Sequence, residues 1–198
     1  MDRNEIRQQW DAVSKTYAER RDPDGSDAAL ISELLAELPE EPRVLDIGSG
    51  DGARTLANLP AGSVGVDISR EGLKLAAENV PDASLVQGEM TALPLADRSF
   101  DGLTAYHAVF HVPREEHPAV YREFARVLRP GSRLLMTLPG GRFETVRRGW
   151  MGGEMFFSAP GREQTLDQLR AAGFTDLATT TADDPLGSST EFVFATRE

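Results

Sequence analysis

The sequence predicts an α/β protein: a doubly wound, mostly parallel sheet of seven strands with one antiparallel strand and an N-terminal helical cap. Three observations carry this. From Arg43 onward, short apolar runs alternate with helical segments. A glycine-rich turn, Gly48-Ser-Gly-Asp-Gly52, follows the first of those runs directly. The last two runs are joined without a helix between them. Alternating strands and helices imply right-handed crossovers and a parallel sheet covered on both faces.

In chain order, Ile6, Trp10, Val13 and Tyr17 recur at helical spacing, as do Leu30, Leu34, Leu35 and Leu38. Asp22-Pro-Asp-Gly25 separates the two helices, Ser26 or Asp27 is placed to cap the second, and Pro39 and Pro42 end the region. Strands are expected over 43–47, 63–67, 83–87, 100–106, 133–138, 175–181 and 191–196, and helices over 52–58, 69–79, 114–128 and 164–172. The 114–128 helix carries Val120, Tyr121, Phe124, Val127 and Leu128 on one face, and the last helix stops at Gly173, which suits a left-handed cap. Asp183–Ser189 links the final strands as a hairpin, which makes one strand antiparallel. The organisation expected is a single domain over 1–198. It comprises a helical cap (1–42), a ligand-binding core (43–139), a covering segment (140–162) and a C-terminal helix with hairpin (163–198).

Composition narrows the function. At 198 residues, with 40% hydrophobic and 27% charged residues, the chain has the profile of one soluble globular domain. No run reaches the roughly 18 apolar residues a membrane helix needs, and the charged start Met1-Asp-Arg-Asn-Glu-Ile6 lacks a signal-peptide core. A cytoplasmic protein is expected. The absence of cysteine excludes disulfides, thiolate nucleophiles and cysteine-held metals, and the spacing of His107, His111 and His117 calls for no metal. The net charge of -11 disfavours nucleic acid and anionic membranes as partners. Lys15 and Lys74 are the only lysines, an arginine-rich, acidic balance found in salt-adapted proteins and in products of GC-rich genomes alike.

The glycine turn sits where a doubly wound sheet binds ligands, beyond the carboxyl end of a strand. Glycines there let backbone approach a ligand closely. Dinucleotide sites read G-x-G-x-x-G, whereas here the third glycine comes one residue early. Asp46 precedes the turn, Asp51 lies within it, and no Lys or Arg falls between Asp46 and Gly52. Two carboxylates match a ligand bearing an ammonium and a sulfonium better than a pyrophosphate.

Val44-Leu-Asp-Ile-Gly-Ser-Gly-Asp-Gly52 resembles the first motif of the class I methyltransferases, particularly their small-molecule, quinone-biosynthesis-like branch. Val64-Gly-Val-Asp-Ile-Ser69 resembles the second motif, Gln87-Gly-Glu-Met-Thr-Ala-Leu-Pro94 the third, Phe100-Asp-Gly-Leu-Thr-Ala-Tyr-His107 the fourth and Val127-Leu-Arg-Pro-Gly-Ser132 the fifth. The resemblance covers about half the chain, from Arg43 to Leu138. It implies a Rossmann-like fold and S-adenosylmethionine, which carries both cationic groups, as cofactor. It further implies that Asp46, Gly48, Ser49 and Gly50 wrap the cofactor and that Asp67 accepts from the ribose hydroxyls. Ile68 packs on adenine, with Met90 beside the ring. Glu89, in place of the commoner aspartate, accepts from the adenine amino group. Tyr17 of the first helix approaches the methionine end.

Methyl transfer is an in-line displacement, and alignment supplies much of its catalysis. Tyr106 and His107 end the fourth strand, where this fold brings the chain past the methyl group, and His111 lies one helical turn on. Tyr106 is assigned to the cofactor, His107 and His111 to catalysis; His107 is the leading base, because neutral imidazole is plentiful near pH 7. The competing reading is a histidine that bonds backbone and shapes the pocket. Trp10 is read as packing, and His117 in Glu-Glu-His-Pro as solvent-facing. Gly140–Ser158 is a long segment rich in Trp, Met and Phe, expected as an acceptor lid, with Phe143, Arg147, Trp150, Met155 and Phe156 against the substrate. A homodimer patch is its other reading.

The expected activity is methylation of O, N or C on a small, partly apolar acceptor. Strand four lacks the Asn/Asp-Pro-Pro-aromatic motif of base-amino methyltransferases. A S-adenosylmethionine-binding protein without transferase activity and an NAD-dependent oxidoreductase are the alternatives.

Overall fold

The structure is a computed structural model that describes residues 2–22, 25–183, 186–187 and 189–198. The connections at Asp22–Gly25 and Asp183–Ser189 fall partly outside those residues.

Seven strands form the central sheet: β1 (Val44–Ile47), β2 (Val64–Asp67), β3 (Ser84–Gln87), β4 (Phe100–Ala105), β5 (Leu128–Leu138), β8 (Phe174–Asp183) and β9 (Ser189–Arg197). A separate hairpin pairs β6 (Arg142–Trp150) with β7 (Gly153–Pro160). The sheet order is β3-β2-β1-β4-β5-β9-β8. β9 runs antiparallel to both β5 and β8, so it is the single reversed strand the sequence predicts. Strand order reverses between β1 and β4, which opens a crevice beyond their carboxyl ends.

The helices are α1 (Arg3–Arg20), α2 (Ala28–Ala36), α3 (Arg70–Asn79), α4 (His117–Val127) and α5 (Arg162–Ala171). Asp2 caps α1, its side chain accepting from the Asn4 amide while Glu5 accepts from the Asp2 amide. Ser69 caps α3 by accepting from the Gly72 amide. The core lies on the α4–α5 side of the sheet, where Tyr121, Phe124, Phe100 and Phe174 are fully buried. Among the described residues, no helix is long and apolar enough to cross a membrane.

Four local expectations are corrected. The glycine turn does not open an α-helix over 52–58; it runs through turns into a short 3-10 segment, Leu56–Asn58. Asp27 stands at the start of α2 but makes no cap bond, because its carboxylate is drawn to the buried Arg54 guanidinium at 2.8 Å. His117, the first residue of α4, is fully buried, because its Nε2 bonds the Val112 carbonyl at 2.9 Å and its ring packs edge-on with Tyr121. The 140–162 segment is no loop. It is a hairpin reversing through Met151 and Gly152, both at positive φ (51° and 86°), the geometry of a two-residue type I′ turn.

Candidate active site

The site is built at the reversal point. Val66, next to last in β2, accepts the amides of Gly48 (2.8 Å) and Ser49 (3.2 Å) through one carbonyl. Asp67 then accepts the Gly50 amide at 2.8 Å and the Ser69 amide at 2.7 Å. The first amides of the turn are therefore bonded within the protein. A pyrophosphate site needs such amides free at a helix N-terminus; here they are taken and no α-helix follows.

Burial raises Asp67 to about 6, opposed by its two amide donors. Gly50 has φ 54°, and a Cβ placed on it meets no atom within 4 Å, so its exposed edge faces open cavity.

α1 roofs this floor. Arg3, Ile6, Trp10, Ser14, Tyr17 and Arg21 recur every three or four residues and all line the cavity. Ser14 Oγ lies 3.1 Å from Ser69 Oγ, which donates to Asp11 at 2.9 Å, so the helix is stitched to the end of β2 and the start of α3. At one end of α1, Arg3 pairs with Glu89 at 2.9 Å; at the other, Arg21 pairs with Asp51. Arg54, also lining the cavity, binds the Asp22 carbonyl as well as Asp27.

Beyond β4, Tyr106 donates to the Asp27 carbonyl at 3.0 Å. Burial holds its hydroxyl protonated. His107 adopts φ 51°, and its amide donates to Thr137 Oγ1 at 2.9 Å. His111 closes the 3-10 turn Val109–His111, with Nδ1 2.8 Å from the Phe156 carbonyl of β7. Burial lowers its pKa to about 4.

A family model described as a methyltransferase domain matches residues 45–136, the stretch that contains the glycine turn, Asp67, Glu89 and the β4 terminus. Over that stretch the chain is similar to the class I methyltransferases. It is 38% identical over 107 residues to sterol methyltransferase-like 1 of Botryococcus braunii, covering 50% of this chain and 27% of that protein. It is 33% identical over 109 residues to a demethylmenaquinone methyltransferase of Renibacterium salmoninarum, covering 54% of this chain and 45% of that protein. The chain thus spans less than half the length of these relatives. Among solved structures, the [4+2]-cyclase SpnF superposes with TM-score 0.73 at 19% identity over 100% of this chain and 97% of that one. A S-adenosylmethionine-dependent methyltransferase from Methanosarcina mazei gives TM-score 0.69 at 22% identity, covering 83% and 96%. These likenesses establish the fold.

S-adenosylmethionine is the cofactor of class I methyltransferases, and the cavity fits it. A carboxylate ends β2, apolar Ile68 and Met90 flank it, and the Arg21–Asp51 pair is complementary to an amino-acid zwitterion. Of the residues the sequence singles out, Tyr17, Gly48, Ser49, Gly50, Asp67, Ile68, Glu89, Met90, Tyr106, His107 and His111 all line the same cavity. Trp10, read as packing, lines it too.

Asp46 does not. It is buried behind the turn, accepting from Thr55 Oγ1 and from Thr104 Oγ1 at 2.8 Å, and burial raises it to about 7. Strand alternation aims its side chain into the protein, away from the crevice. Phe143, Arg147, Trp150, Met155 and Phe156 also stand outside the cavity lining, because the hairpin packs its apolar face on α1 and the 109–111 turn. Met155 is fully buried against Val13, Trp150 packs on Trp10 and Tyr17, and Arg147 is exposed over the Phe157 ring.

Sequence reasoning missed Arg3, Ser14, Arg21, Arg54 and Thr55. The three-and-four spacing from Arg3 to Arg21 was the available signal, hidden because only its apolar members were weighed.

Proposed function

We propose that this protein is a S-adenosylmethionine-dependent enzyme that methylates O, N or C of a small, partly apolar acceptor in the cytoplasm. The observation that carries the reading is Asp67: a partly solvent-shielded carboxylate at the end of β2, aligned by the Gly50 and Ser69 amides and lining the same cavity as two histidines.

When bound, the cofactor supplies a methyl group activated by its sulfonium. Asp67 would accept from the ribose hydroxyls, and Ile68 and Met90 would flank the adenine. Glu89 would accept from the adenine amino group by exchanging its Arg3 partner, and Asp51 and Arg21 would take the ammonium and the carboxylate. Asp46 holds Thr55 and Thr104 and so fixes the back of the turn. His107 and His111, at the β4 end, face the acceptor, and the β6–β7 hairpin backs that end of the cavity as a cover.

The test is calorimetry with S-adenosylhomocysteine and with NADH, followed by labelled methyl transfer into metabolite pools. Binding of S-adenosylhomocysteine, no binding of NADH and transfer of label to an organic-soluble product are expected. NADH binding or loss of S-adenosylhomocysteine binding would sink the cofactor assignment, and binding without any labelled product would leave a sensor instead of an enzyme. His107→Ala is expected to lower turnover more than cofactor affinity.

A further inference from the structure

The β4 end of the cavity is walled by rings. Trp10 of α1 and His111 both line it, 4.8 Å apart and nearly perpendicular at 88°. Two rings of the hairpin back them: Phe157 lies 4.8 Å from the imidazole, and Trp150 lies 5.7 Å from Trp10. The imidazole is thus packed between edge-on and tilted rings and cannot turn freely.

Its tautomer is fixed as well. A carbonyl oxygen only accepts, so His111 Nδ1, 2.8 Å from the Phe156 carbonyl, carries the proton. Nε2 therefore carries a lone pair. Among the described residues the imidazole makes no second hydrogen bond. The side chain is 6% exposed, and burial together with the neighbouring His107, the titratable group that faces it, keeps it uncharged at neutral pH. Of the carboxylates lining this cavity, Asp51 and Glu89 face arginines, and Asp67 accepts the Gly50 and Ser69 amides.

A buried, neutral acceptor among aromatic faces selects by chemistry. A hydroxyl donates to it, whereas a carboxylate meets a lone pair and an ether offers nothing. Flat apolar bodies gain from the ring walls.

We propose that this end of the cavity is the methyl-acceptor subsite and that it takes a neutral, flat, hydroxyl-bearing molecule whose O–H donates to His111 Nε2. The proposal rests on the transferase reading only for the role of the bound molecule as acceptor. It explains why the hairpin matters although it lines none of the cavity: Phe156 sets which nitrogen is free, and Phe157 and Trp150 set where it points.

The chain has two tryptophans, Trp10 and Trp150, and both stand at this subsite, so intrinsic fluorescence reads it directly. The probes are phenol, anisole, benzoate and trimethylanilinium, titrated with S-adenosylhomocysteine present. Phenol is expected to bind about five- to tenfold more tightly than anisole, the effect of one hydrogen bond. Benzoate and trimethylanilinium are expected to bind more weakly than phenol. His111→Phe is expected to erase the phenol–anisole gap while leaving anisole within about twofold. Equal binding of phenol and anisole, a gap that survives His111→Phe, or tightest binding by trimethylanilinium each overturns the proposal. Should His111→Phe fail to fold, nitrogen-15 spectra of the wild type decide: Nε2 shifts on adding phenol if the proposal holds, and an unmoved Nε2 overturns it. Calorimetry with S-adenosylhomocysteine is scored separately, so failure of the cofactor reading is distinguishable from failure of the subsite.

Discussion

The Asp67 carboxylate accepts the Gly50 amide at 2.8 Å, joining the end of β2 to the middle of the glycine turn through a side chain. In the proposed function, the residue that would accept from the ribose thus also shapes the backbone on which the cofactor would lie. Asp67→Ala removes both, and S-adenosylhomocysteine affinity is expected to fall by at least about 30-fold, two lost hydrogen bonds' worth. Calorimetry checks this; affinity within threefold of wild type would show that Asp67 is only structural.

Two of the arginine–carboxylate contacts at the cavity, Arg3–Glu89 and Arg54–Asp27, should differ sharply in stability. Arg3 and Glu89 are both well exposed, with side chains 45% and 38% accessible, so Arg3→Ala is expected to cost less than about 1 kcal/mol. Arg54 and Asp27 are 3% and 1% accessible, and Arg54→Ala leaves a buried carboxylate uncompensated. A cost of about 3–5 kcal/mol is expected, with loss of the link to the Asp22 carbonyl included. Urea titration of the two variants measures the contrast.

Asp46 sets a pH dependence. Its folded pKa is raised to about 7, above the unfolded value, so its contribution is favourable at low pH, where it is protonated in both states. That contribution is lost progressively as pH rises from about 4 through 7. Asp46→Asn does not titrate, so its stability relative to wild type is expected to improve by more than about 1 kcal/mol between pH 4 and pH 8. Denaturant unfolding at the two pH values tests the sign; a constant difference refutes it.

The hairpin turn carries a methionine at φ 51°, a conformation for which asparagine is better suited. Met151→Asn is expected to raise stability by about 0.5–1 kcal/mol, and Gly152→Val to lower it, as thermal unfolding would reveal.

What could be read from the sequence follows the range of each interaction. The strands of the sheet, the reversed β9 and the acids at Asp67 and Glu89 were legible, because alternation and the five motifs are local patterns. The hairpin was not. Met155 through Pro160 are buried without interruption, so β7 shows no period of two, and β6 is mostly exposed and polar. The missing helix after the glycine turn was equally hidden, since Arg54 and Thr55 are held by Asp27 and Asp46 from other segments. The same holds for the cavity acids: nothing in Asp46–Gly52 announces that Arg21 lies on Asp51, a partner 30 residues away. Ion pairs made across the fold leave no periodic trace.

The glycine turn is held by the protein's own groups, its amides at 48, 49 and 50 bonded to Val66 and Asp67. Folding, not binding, therefore absorbs the conformational entropy of that loop. Cofactor arrival should order little backbone on the floor of the site, and the heat-capacity change on binding should report apolar burial under α1 rather than coupled folding. The adaptable part of the site is expected to be its roof. New acceptors are accordingly most accessible to evolution through changes in α1 and the hairpin, over a floor that stays the same.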